Sequence, residues 1–233
     1  MDIAKVQYKL VFEGGQEKLL ELHLRSDNLT PVGWAPATPP EWAALENHKC
    51  SNCPLEPGKN AYCPASLNLF KLVEECNELD LLDTVKLIVT TADRAVVVSA
   101  TVQKALGSFI GLLMATSDCP HAAYFRPVAR FHLPLANEME TIYRAVTAFA
   151  MAQFVRRQAG KEGAADLEGL FDIYKNLETV NMGLSVRLKS AGKEGAISKS
   201  LMEWDVFSGM FPMRAEEVVD RMRPLFSAYL SDP

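Results

Sequence analysis

Histidine and cysteine are scarce in this chain, at four and five of 233 residues, and long apolar runs are missing. The longest nearly apolar stretch, residues 105–115, covers about half of the ~20 residues that a membrane-crossing helix needs, so no membrane partner is expected. Residues Met1 to Val6 lack the apolar core of a secretory leader and run straight into alternating polar and apolar positions, which predicts a cytoplasmic protein. In a reducing compartment an odd number of cysteines argues against a disulfide framework and for metal ligands or reactive thiols. A phosphate-cradling glycine loop, a serine-nucleophile motif and a helical His-Glu-x-x-His are all absent, which removes the enzyme classes those motifs announce. Aromatic residues do not interleave with a basic stripe, and no nucleic-acid partner is expected.

The remaining composition is that of a globular protein, with 48% hydrophobic and 23% charged residues. The formal charge of −5 is unevenly spread: residues 1–83 carry −6, residues 84–160 carry +4 and residues 161–233 carry −3. Arg126, Arg130, Arg144, Arg156 and Arg157 in the basic segment are scattered among apolar positions, which suits a solvated face or internal pairing better than an anion-binding face.

Two hairpins are legible. Val6, Tyr8, Leu10 and Phe12 alternate with polar neighbours, Gly14-Gly15 supplies a turn, and Leu20, Leu22 and Leu24 alternate on the return, with His23 on the wet side. The β-branched runs 85–90 and 95–99, separated by Thr91-Ala92-Asp93-Arg94, form the second. Between them, Pro31, Pro36, Pro39 and Pro40 exclude regular structure, and Trp34 and Trp42 predict an ordered strap pinned to the body. Helical spacing marks residues 65–79, with Cys76 as a buried small hydrophobe, and residues 102–117. Asn137 with Glu140 caps a helix from Glu138 to about Ala159. The helix from Leu167 to about Ser190 carries a heptad seam through Leu170, Tyr174, Leu177, Asn181, Leu184 and Leu188, served either by a helix of the same chain or by a second subunit. Ser198 to about Ser208 and Arg214 to about Leu230 predict two further helices, the last kinked or interrupted at Pro224. The reading is one α+β domain over residues 1–233: an N-terminal antiparallel sheet of about four strands with a cysteine-rich loop over 1–102, packed on a helical half over 103–233.

Chemistry concentrates in His48-Lys49-Cys50-Ser51-Asn52-Cys53-Pro54 and Tyr62-Cys63-Pro64. A Cys-x-x-Cys turn lets two thiolates converge on one ion, and a third cysteine across a short Pro/Gly-rich loop can close on it. The fourth ligand falls in Asp118-Cys119-Pro120-His121, at the end of an apolar helix, with His48 as a competitor. Metal ligation by Cys50, Cys53, Cys63 and either Cys119 or His121 is therefore expected. Zinc leads, because sulfur-rich tetrahedral sites with short knuckles are its habit, and a four-cysteine iron–sulfur cluster is the rival. A thiolate–imidazole pair of Cys119 with His121 or His132 is the enzymatic alternative. His132, between Phe131 and Leu133, also fits a donor behind a metal ligand or a histidine tucked into the core.

The segments around Cys50 and Cys53, Tyr62-Cys63-Pro64-Ala65, residues 115–121 and Ala129-Arg130-Phe131-His132-Leu133-Pro134 resemble an uncharacterised bacterial protein family with no assigned activity. The resemblance spans most of the chain and implies a shared fold, but no mechanism, metal or catalytic residue. The resulting expectation is a cytosolic metal-binding protein with a structural zinc and an interaction or regulatory role, towards a protein partner or a second copy. The alternative is an iron–sulfur or thiol-based redox protein.

Overall fold

The computed structural model describes residues 2–231. Strands β1 (Ile3–Phe12), β2 (Glu17–Arg25), β3 (Thr84–Thr90) and β4 (Ala95–Thr101) form one antiparallel sheet in the order β2-β1-β3-β4. Period-two alternation decides its faces. Val6, Tyr8 and Leu10, Leu20, Leu22 and Leu24, and Val85, Leu87 and Val89 all point into the core. The opposite face is wet, with Lys5 paired to Glu21 at 2.7 Å and Lys9 to Glu17 at 2.8 Å across β1 and β2.

Helices make up the rest of the fold, and the one at Val102–Ala115 packs on the apolar face of the sheet. They are α1 (Pro64–Cys76), α2 (Val102–Ala115), the short α3 (Arg126–Arg130), α4 (Glu138–Gln158), α5 (Glu168–Ser190), α6 (Ala196–Met222) and the terminal turn α7 (Ser227–Leu230). Leu69, Leu72, Val73 and Cys76 bury one side of α1, as their spacing predicts. Phe109 of α2 lies under the sheet against Tyr8, with ring centroids 5.0 Å apart, and against Trp34 of the strap at 5.8 Å. Each such fully buried side chain is worth about 1.5–3 kcal/mol. The strap itself is held by Trp34, whose indole N–H donates to the Asn68 carbonyl at 2.6 Å.

The capping box at Asn137 and Glu140 starts α4 as expected. The seam on α5 is buried against α6 of the same chain, and Asn181, 2% exposed, donates to the Ser208 hydroxyl there at 3.4 Å. The two helices expected between Ser198 and Leu230 are instead one helix to Met222, running through Pro212. Burial outweighs the lost hydrogen bond: Ser208, Phe211, Ala215 and Val218 are buried on either side of Pro212, and Phe211 stacks on Tyr174 at 3.4 Å between centroids. Pro224 does mark the end, within a 3₁₀ turn at Arg223–Phe226.

Candidate functional site

Residues 45–61 make an excursion whose base is closed by backbone bonds, Leu45 N–H to Ala61 O at 2.8 Å and Cys63 N–H to Ala43 O at 2.8 Å. At its tip Cys50 and Cys53 are joined by a turn in which the Cys53 N–H donates to the Cys50 carbonyl at 3.0 Å. Cys63 sits where the excursion returns, as the residue immediately before α1, with Pro64 opening the helix. Cys119 arrives from the far side of the fold, just past the end of α2, and backbone N–H groups of Ala122 and His121 donate to its sulfur.

These four thiols come within electrostatic reach of one another. Burial first, and then the charges of Cys63, Cys53 and Cys119, push the Cys50 thiol up to about 11. Burial also raises Cys119, the backbone donors of Ala122 and His121 oppose the rise, and the charges of Cys63 and Cys53 add to it. Cys63 and Cys119 are buried, Cys50 and Cys53 are half-buried, and all five cysteines are free. Cys76 stands apart within the core, its thiol pushed up to about 11 chiefly by burial. Among the described residues, no group of three or more His, Cys, Asp or Glu side chains is drawn into metal-holding geometry.

The histidines do other work. The Nε2 atom of His121 lies 2.8 Å from the Asn52 carbonyl and so ties residues 119–121 to the Cys-x-x-Cys turn. His48 is exposed, in the left-handed region at φ 49°. His132 is half-buried, its Nε2 bonded to the Tyr8 hydroxyl, which also bonds Ser108 Oγ at 2.8 Å. Neither the His121 nor the His132 imidazole hydrogen-bonds the Cys119 thiol among the described residues, and the raised thiol is the reverse of what a nucleophile needs.

Three residues of α5 complete the site. Arg187 is 1% exposed and makes no ion pair among the described residues; its guanidinium donates to the carbonyls of Trp42 at 3.1 Å, Ala44, and His48 at 3.4 Å. Its charge also favours the Cys50 thiolate. Gly183 leaves room for Cys50, since a Cβ there would stand 2.7 Å from the Cys50 sulfur. Asn176 accepts from the Asn52 amide at 3.0 Å, through both its backbone and side-chain oxygens. The only sequence signal for this set is a cation at residue 187, one place before the seam residue Leu188.

Cys50, Cys53, Cys63 and Cys119 thus reach one region of the fold from three separated segments, and the Arg187 charge bears on Cys50. No helix among the described residues is long and apolar enough to cross a membrane. No curated protein and no solved structure matches the chain. Residues 6–227 match the profile of a family described as a domain of unknown function, DUF6901, and the chain belongs to that family.

Proposed function

We propose that the protein binds one zinc ion through the thiolates of Cys50, Cys53, Cys63 and Cys119, and that the ion is structural. The observation that carries this reading is that these four thiols lie near enough for their charges to act on one another, with Cys50 also within reach of Arg187, a buried guanidinium with no carboxylate partner among the described residues. A buried cation is costly without an anion, and a zinc tetrathiolate, with net charge −2, supplies one. The backbone N–H groups of Ala122 and His121 offset part of the burial that raises the Cys119 thiol. Loss of the four thiol protons lets the sulfurs close to about 2.3 Å from the metal. Four sulfur ligands leave no position for water or substrate, which assigns the ion to holding the fold and His121 to positioning the loop through Asn52.

The reading places the chain in a reducing cytoplasm, which suits five free thiols. An interaction role for the helical half is supported by exposed apolar side chains, among them Met151 at 69% on α4 and Tyr229 at 86% on α7. The test is elemental mass spectrometry and visible absorption on the same sample of untagged protein purified without oxygen. About one zinc per chain, no colour, and loss of the metal in Cys119→Ser are expected. Iron with a broad brown absorption would move the protein to the electron-transfer class, and no metal after reconstitution would overturn both readings.

A further inference from the structure

A second group of buried polar side chains lies away from the thiols, around a cavity of about 460 Å³ between α2, α5, α6 and the segment joining α3 to α4. Its wall is mainly apolar. Gly107 and Gly111 of α2 leave room for the Trp204 indole of α6 to approach the helix with its N–H edge, which donates to the Gly107 carbonyl at 3.0 Å. Ile110 and Phe207 extend the apolar surface.

Most of the polar groups in the wall are satisfied within the fold. Ser108 Oγ bonds the Tyr8 hydroxyl at 2.8 Å and accepts the Leu135 N–H at 3.1 Å, His132 bonds Tyr8, and Asn181 donates to Ser208. Burial, and then the Arg144 charge, hold His132 neutral down to about 3. Arg144 is different. One terminal nitrogen donates to the carbonyls of Val128 at 2.6 Å and Phe131 at 3.0 Å, while its Nε and other terminal nitrogen have no partner among the described residues. The carboxylates at the mouth are already engaged, Glu138 by Arg214 at 3.4 Å and Glu203 by Gln103.

We propose that this cavity binds a small amphipathic carboxylate, with its hydrocarbon part against Trp204, Phe207 and Ile110 and its carboxylate on the free donors of Arg144. A largely apolar cavity with one forked cation is the complement of such a molecule, because a guanidinium matches a carboxylate in plane and spacing and gains strength out of water. A dianionic phosphate would call for a second inward cation, and the nearest other one in the wall, Lys104, is exposed at the rim.

Decanoate and decanol, below their micellar concentrations, are the probes, titrated by calorimetry and by tryptophan fluorescence. Decanoate is expected to saturate at about one per chain and to bind at least about tenfold more tightly than decanol. Arg144→Gln should bring decanoate to the level of decanol and leave decanol unchanged. Ala136→Trp, which fills the cavity without touching Arg144, should abolish binding of both and keeps the test open if the arginine variant does not fold. No decanoate binding to the unaltered protein, equal binding of acid and alcohol, or binding unaffected by Ala136→Trp would each overturn the proposal.

Discussion

Arg187 holds the strap before the cysteine loop in place by bonding three carbonyls, of which those of Trp42 and Ala44 also accept from Asn47 and that of His48 is served by Arg187 alone among the described residues. Arg187→Leu removes these bonds and leaves the His48 carbonyl without a donor, and the loss is expected to be about 1–3 kcal/mol by urea denaturation, larger with zinc bound than without. Arg187→Lys should recover little of it, since one ammonium cannot span three acceptors in the plane of a fork. His132 sets a pH limit. Its folded pKa lies near 3 against an ordinary value of 6.5, so its contribution is complete above about pH 6.5 and is lost as pH falls from there towards 3. The unfolded chain takes up the proton that the folded chain refuses, with a slope of at most about 1.4 kcal/mol per pH unit. In His132→Gln that part of the decline disappears, so the stability difference between the parent protein and the variant should shrink as pH is lowered from about 7 to about 4.

Helix α5 carries both the core seam and the wall of the thiol site, and one glycine separates the two duties. Gly183→Ala adds helix propensity of up to about 1 kcal/mol but drives a methyl group into the Cys50 sulfur. The expected outcome is a folded protein by circular dichroism whose zinc affinity, measured by competition with a chromophoric chelator, drops by at least about tenfold. In α6, Pro212 interrupts the backbone ladder in the middle of a 27-residue helix. Pro212→Ala restores an N–H for the Ser208 carbonyl and removes the ring clash, while freeing the unfolded chain slightly; a net gain of about 1–2 kcal/mol in the urea midpoint analysis is expected.

In the whole molecule, zinc would join the excursion after the strap, the start of α1 and the end of α2, with α5 as their common backing. Because the metal-free Cys50 and Cys119 thiols are raised, binding must release protons. Affinity should therefore fall as pH falls, and calorimetry in buffers of different ionisation enthalpy should show more than one proton released per zinc. The two hairpins, the capped start of α4 and the buried face of α5 were legible because period-two and heptad patterns report burial directly, as at Val6-Tyr8-Leu10 and Leu170-Tyr174-Leu177, whereas the pairing of β1 with β3 was not. Cys50, Cys53 and Cys63 stood out in the sequence because their type and spacing limit their chemistry, while the fourth position stayed open between Cys119, His121 and His48. Hidden from sequence were the continuity of α6 through Pro212, where Phe211 burial overrides a local preference for a break, and the partners of His121 and His132. Arg187, Gly183 and Asn176 were equally hidden, since nothing local ties residues of one helix to carbonyls and sulfurs more than a hundred positions earlier. Local pattern thus set which residues would be helix, strand and buried face. Which buried groups meet depended on how α5 crosses beneath the loop, because long-range contacts are chosen by packing of the whole core and leave no periodic trace along the chain.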